Sequence, residues 1–254
     1  MLAHKFGPAV AASYGPVIRI GDAGRSTYNA LEVSVNKQLR HRFSFVGSYT
    51  LSHAVDFGDD SIGSTVANPF DLNTERGDSN RDERHRFVLN GTASLPYGFE
   101  VSTITAFASA RPFDIVTGAS PDGFAPTRPA EVTRNKRARD DSTTIGAINA
   151  ARAAQALPAI TTTSPRSFFF YSTDLRLTKQ FRIGERVRLQ GLIEGFNIFN
   201  HVNFLSNGGP TFSGVSGAQN NVFASDFGQP RRTAGGVLGS GGPRAAQLGL
   251  RVEF

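Results

Sequence analysis

The sequence predicts an all-β protein, an antiparallel transmembrane β-barrel segment of about seven long strands with long loops at one end. Three observations predict it. Apolar and polar residues alternate with a period of two in separate runs along the chain. The runs are about 11 to 15 residues long, where a globular strand averages about 5 to 6 and a tilted strand that crosses a bilayer needs about 9 to 11. Between the runs, tight turns alternate with long stretches rich in Gly, Pro, Asn, Asp and Ser.

The first strand is expected near 27–39, where Leu31, Val33 and Val35 alternate with Glu32, Ser34 and Asn36. The second, near 43–54, sets Phe43, Phe45, Gly47, Tyr49 and Leu51 against Ser44, Ser48, Thr50 and Ser52. A third near 84–95 opposes Phe87, Leu89, Gly91, Ala93 and Leu95 to Arg86, Asn90, Thr92 and Ser94. Runs near 99–113 and 170–180 follow, the latter with Leu175 and Leu177 opposite Asp174, Arg176 and Thr178. Near 186–199, Val187, Leu189, Gly191 and Ile193 alternate with Arg188, Gln190, Leu192 and Glu194. The last, near 244–254, has Ala246, Leu248, Leu250, Val252 and Phe254 opposite Gln247, Gly249, Arg251 and Glu253.

A soluble β-sandwich is the competing reading of such strands. Against it stand the charges deep in their polar faces, at Glu32, Arg86, Glu100, Arg176, Arg188 and Glu194, which suit a wet lumen better than a second packed sheet. Aromatic residues near strand ends, among them Tyr28, Phe43, Tyr97, Phe99, Phe113, Phe170, Tyr171 and Phe181, suit interfacial girdles.

Composition removes several other classes. With no cysteine among 254 residues there is no disulfide framework, thiolate metal site or cysteine nucleophile. No stretch approaches the roughly 18 consecutive apolar residues of a spanning helix. The net charge of +6 and pI near 10.0 invite a nucleic-acid reading. The basic residues are scattered, however, and their one dense run, at 134–139, falls in a loop, so no nucleic-acid partner is assigned. The first 15 residues lack the continuous apolar core of a signal peptide.

Loop length sets an orientation. Residues 40–42, 96–98 and 182–185 are tight turns, whereas 55–83, 114–169 and 200–243 are long. Outer-membrane barrels keep short turns in the periplasm and long loops outside, so the last strand runs inward and residues 1–26 are expected as an external loop remnant. Bacterial single-chain barrels have an even number of strands. Seven strands from an external start are therefore expected to be the C-terminal piece of a larger barrel.

Specific segments carry a family resemblance: YNALEVSVNKQL at 28–39, FSFVGSYTLSHAVD at 43–56, NPFDLNTERGDSNRDERHRFVLNG at 68–91, TDLRLTKQFRI at 173–183 and RLQGLIEGFNIFNHVNF at 188–204. With the terminal aromatic strand, they make the chain resemble the C-terminal barrel region of TonB-dependent outer-membrane receptors, in particular the Oar-like branch. The resemblance implies a barrel of about 22 strands with a plugged lumen, set in outer-membrane lipid. It also implies capture of an external ligand of unknown identity and its energised uptake. The TonB complex would be engaged only through an upstream plug region that this chain does not match. Leu248, Leu250, Val252 and Phe254 look like the terminal signal read by the barrel-assembly machinery.

No enzymatic site is read. The histidines His4, His41, His53, His85 and His201 are dispersed, and Ser52 and His53 point to opposite faces of one strand. No cofactor and no metal site are assigned. The nearest approach to a calcium loop is Asp71, Asn73, Glu75 and Asp82 at offsets 1, 3, 5 and 12, but Arg76 stands where the glycine belongs and Gly77 comes one late. Asp78, Asp82, Glu83, Arg81, Arg84 and Arg86 are expected to form a charge network at the loop base. Asp56, Asp59, Asp60, Arg81 and Arg84 are the loop candidates for ligand contact. Residues 145–157 read as a short helix and 235–242 as a flexible glycine loop. Two functional classes follow: a receptor fragment for ligand binding and uptake, or a surface interaction protein whose loops bind without transport.

Overall fold

The computed structural model describes residues 24–40, 42–57, 71–79, 81–112, 114–119, 126–128, 142–161, 169–184, 187–204, 219–223, 227, 233–234 and 237–254. Asp59, Asp60, Phe113, the 134–139 run and residues 1–23 lie outside them. In chain order the strands are β1 (Ser26–Arg40), β2 (Phe43–Asp56), β3 (Gly77–Asp78), β4 (His85–Leu95), β5 (Phe99–Ala108), β6 (Asp114–Val116), β7 (Gly118–Ala119), β8 (Pro126–Thr127), β9 (Phe170–Ile183), β10 (Val187–Phe196), β11 (Gln219–Asn221) and β12 (Ala245–Glu253), with one helix, α1 (Ser142–Ala153).

The seven long strands form one antiparallel sheet in the order β1-β2-β4-β5-β9-β10-β12, and β3 pairs with the end of β2. The sheet is open, with β1 and β12 as its edges. Neighbours in sequence are neighbours in space because each tight turn closes a hairpin: Arg40 pairs with Phe43, Leu95 with Phe99 and Ile183 with Val187. These turns need left-handed backbone, supplied by Arg42 (φ 72°), Tyr97 and Gly98 (φ 62° and 76°), and Gly184 (φ 66°).

The alternation of each strand survives pairing, and this gives the sheet two unlike faces. One cross-strand row reads Phe43, Ala93, Val101, Leu177, Ile193, Leu248. The row one residue away reads Ser44, Thr92, Ser102, Arg176, Glu194, Gln247. A one-residue slip in any ladder would have swapped the faces, so every hairpin register agrees with the hydrophobic pattern. The polar face satisfies itself laterally: Arg176 bonds Glu194, and Thr92 Oγ1 lies 3.2 Å from Ser102 Oγ. The apolar face stays open, with Leu248 78% and Leu250 71% exposed.

Near the long-loop end of the apolar face, Tyr49, Phe87, Phe107 and Tyr171 stand directly opposite one another on four adjacent strands. Phe199, beyond the end of β10, extends the row by stacking on Tyr171 with ring centroids 6.0 Å apart. On β5 Phe107 lies eight residue steps beyond Phe99, a span of about 26 Å along the strand.

The small apolar core lies away from the sheet. Ile115 of β6, Ile148 of α1, Val222 and Phe227 pack together, with Ala147, Ala151, Ile160 and Phe223 against them. These residues come from the long excursions after β5 and after β10, and β6 pairs with β11 in parallel to join the two.

Three sequence expectations need correction. The run 99–113 is strand only to Ala108. Ser109 still exchanges bonds with His85, its N–H to the His85 carbonyl and its Oγ accepting the His85 N–H, but Pro112 has no N–H to continue the ladder. The helix expected at 145–157 runs instead over Ser142–Ala153. Pro158 follows closely, and the Arg152 side chain donates to its carbonyl at 2.7 Å. The run 186–199 ends at Phe196, because Asn197 turns left-handed (φ 45°).

Asparagines then fasten the returning chain to the sheet. Asn197 is buried: Nδ2 donates to the carbonyls of His201 (2.8 Å) and Gly242 (2.7 Å), and Oδ1 accepts the His201 N–H (3.0 Å). Its own N–H donates to Asp174 Oδ1 at 2.8 Å. Asn203 mimics a strand partner. It exchanges both backbone bonds of Tyr171 at 2.8 Å and donates to the Gly241 carbonyl as well. Between them, Asn200 Oδ1 accepts the Arg244 N–H. The three asparagines, three residues apart, do what a continued β10 would have done. Over 237–242 the glycine-rich segment forms a turn, with Gly239 and Gly241 both at φ 78°. A Cβ on Gly241 would sit 2.5 Å from the Phe170 ring and 3.0 Å from Asn203 Nδ2.

Gly241→Ala should therefore destabilise the folded protein by about 1 to 3 kcal/mol, through overpacking on strained backbone. Gly146→Ala, in open space on α1, should instead stabilise by about 0.5 to 1 kcal/mol. Urea unfolding followed by far-ultraviolet circular dichroism reads both, and equal midpoints would contradict the clamp geometry.

Candidate functional site in the long-loop layer

The chemistry-bearing side chains gather where the long excursions meet the sheet. The first excursion leaves β2, forms a short turn at Leu72–Glu75, and returns along β2 through β3. Ser79 N–H donates to the Ala54 carbonyl at 2.9 Å, and Asp82 then turns inward. Asp82 is buried, its Oδ1 accepting the Ala54 N–H at 2.8 Å and its Oδ2 lying 3.4 Å from Arg84. Ser52 anchors the same stretch: Oγ donates to the Glu83 carbonyl and its N–H to the Arg84 carbonyl.

Around this anchor a compensated charge network forms. His53 Nε2 lies 2.9 Å from Asp78 Oδ1, and Arg84 reaches both Asp78 (3.7 Å) and Asp82 (3.4 Å). Glu83 accepts from Arg86 at 2.9 Å on one side and from Arg111 Nε at 2.8 Å on the other. Arg111 follows β5, so Glu83 ties the first excursion to the second. A second tie does the same more deeply, with Arg128 3.2 Å from the buried carboxylate of Glu75. The second and third excursions are joined by the β6·β11 pair, the shared apolar core and a bond from Arg152 to the Val222 carbonyl. The long excursions thus interlock through their described residues into one layer at one end of the sheet.

The calcium-like spacing of Asp71, Asn73, Glu75 and Asp82 corresponds to four side chains with separate tasks. Asp71 caps the short turn by accepting the Asn73 N–H (3.1 Å), Glu75 pairs with Arg128, and Asp82 holds Ala54 and Arg84. Among the described residues, the ligand-type atoms that converge within 4.8 Å are those of His53, Asp78 and Asp82. Arg84 already puts a guanidinium between the two carboxylates. The sequence placed His53 only among dispersed histidines and did not pair it with Asp78, because the β2·β3 register alone sets the two side by side. A polar stretch returning antiparallel along a strand end was the one available signal. Asp56 ends β2, half-buried opposite Gly77, and Arg81 is exposed with its N–H on Ser79 Oγ. Leu248, Leu250 and Val252 line the exposed apolar face of the edge strand β12, and Phe254 ends the chain fully exposed just beyond it.

Within this layer the carboxylates of Glu75, Asp78, Asp82 and Glu83 each face a guanidinium group. Such an arrangement holds loops and presents their outer surface.

A model of the family described as outer membrane beta barrel domain matches residues 5–247. No curated protein and no solved structure matches the chain.

Asp82→Ala removes the acceptor for Ala54 and half of the Arg84 pairing, and bonds to a charged group contribute about 1.5 to 3 kcal/mol. Hydrogen exchange of the Ala54 amide should accelerate by at least about tenfold, with the mid-strand Val88 amide unchanged. Asp71→Ala, which loosens only an exposed cap, should leave Ala54 protected; parallel loss in both variants would count against this anchor.

Proposed function

The chain belongs to the outer membrane beta barrel domain family, and from that premise we propose that it is the C-terminal barrel portion of a TonB-dependent outer-membrane receptor of the Oar-like kind. Its exposed apolar face then meets lipid, its polar face meets a wet lumen, and its short turns lie in the periplasm. In this reading the protein captures and imports a ligand rather than converting one. TonB energy reaches it through a plug encoded upstream, and the barrel-assembly machinery takes hold at Leu248, Leu250, Val252 and Phe254.

One observation carries the proposal: the long loops interlock at a single end of the sheet, with their own core and salt links. A receptor gains from such an arrangement, since a preformed loop surface spares a ligand the cost of ordering it. The deciding experiment translates the genomic DNA upstream of Met1 and compares uptake by the host with and without the gene. In-frame plug sequence together with TonB-dependent accumulation of a ferric chelate, peptide or glycan is the expected result. A stop codon immediately upstream, or ligand retained at the surface without uptake, would replace the transport reading with surface attachment.

Face assignment makes a separate prediction. Leu250→Arg puts a charge into lipid and should cost about 2 to 4 kcal/mol near the bilayer midplane. Gln247→Arg, on the polar face of the same strand and opposite Glu194, should change stability by less than about 0.5 kcal/mol. Unfolding from lipid vesicles in urea checks the pair.

A further inference from the structure

Two lysines on the sheet break the rule of its apolar face. At the short-turn end of that face, the charged strand residues whose side chains are described are Lys37 and Lys179. Each ammonium is held over aromatic rings. Lys37 Nζ sits 3.5 Å from the Phe43 ring centroid and donates to the Phe43 carbonyl at 3.1 Å. Lys179 Nζ lies 4.4 Å from the centroid of Phe99 and 5.3 Å from that of Phe181, and it donates to the carbonyl of Tyr97 in the turn between β4 and β5. Opposite Lys179 on the other side stands Gly191, which leaves that flank without a side chain.

The opposite end of the same face is built differently. Its aromatic row of Tyr49, Phe87, Phe107, Tyr171 and Phe199 carries no lysine. A cation on a lipid-facing surface settles at the headgroup boundary, where the anion at hand is a lipid phosphate. Ring contacts and a backbone carbonyl at the short-turn end hold each ammonium at that depth, so its position is built rather than found by a wandering side chain.

We propose that the short-turn end of the apolar face carries two binding sites for anionic glycerophospholipid, one at Lys179 with Phe99 and Phe181 and one at Lys37 with Phe43. The ammonium takes the phosphate oxygens, and the rings pack against the glycerol and first acyl carbons. Arg42, exposed in the turn beside the Lys37 site, adds attraction for a headgroup with net negative charge. The sites rest on the face that the family assignment turns to lipid and are independent of transport.

The 254-residue chain has no tryptophan, so Tyr97→Trp introduces a single reporter beside Lys179. The chain is reconstituted into phosphatidylcholine vesicles doped with either brominated phosphatidylglycerol or brominated phosphatidylcholine at equal fraction. Brominated phosphatidylglycerol should be enriched about fivefold around the reporter, and added Lys179→Gln should bring the two lipids to parity. Equal quenching by both lipids, or a preference that survives Lys179→Gln, overturns the proposal. Quenching by neither lipid overturns it differently, by removing the face from the bilayer. Native mass spectra of the detergent-solubilised wild-type chain give a second reading: phosphatidylglycerol adducts should fall in the Lys37→Gln/Lys179→Gln double variant, and unchanged adducts would also overturn the assignment.

Discussion

A backbone that enters hydrocarbon must satisfy every N–H and C=O without water, and the rest of this structure depends on meeting that demand. A meander of long antiparallel strands meets it laterally, each strand supplying its neighbours. Constancy of register follows, because a slip would strand backbone groups and put charges such as Arg176 or Glu194 on the lipid side. Where a strand stops short, the demand persists. Asn197 and Asn203 answer it with side-chain amides that stand in for the missing strand.

The molecule therefore folds under two solvents with opposite rules. Along the sheet, apolar residues point outward and bury little against protein, so no packed core forms there. In the loop layer the ordinary aqueous logic returns: Ile115, Ile148, Val222 and Phe227 collect inside, while Glu75 and Asp82 are buried only with a guanidinium partner. The two regions meet at Ser52, Ala54, Glu83 and Arg111, where strand ends and loops share hydrogen bonds.

What could be read from the sequence divides along the same line. Strand positions and faces were legible because alternation is a local property, visible in Leu31-Val33-Val35 or Leu248-Leu250-Val252 without knowing any partner. The charge network at 78–86 was also visible, since its members are close in sequence. Arg111, Arg128 and His53 were not, because their roles arise from contacts between segments tens of residues apart. Asn197 was read as part of a strand, and Asn200 and Asn203 as the start of a long loop. Only the left-handed turn at Asn197 converts their spacing into a clamp.

The two free edges of the sheet carry a consequence of their own. β1 and β12 both run from the loop layer toward the short turns, since an odd number of reversals is absent between them. Joining them directly, within one copy or around a ring of copies, would make a parallel seam. Such a seam slants its hydrogen bonds and is slightly weaker per residue than every other ladder in the sheet. A seam as strong as the rest requires an odd number of strands inserted between β12 and β1. Handedness of travel across the membrane thus acts as a counting rule, and it restricts which partners can zip onto this sheet before any side chain is consulted.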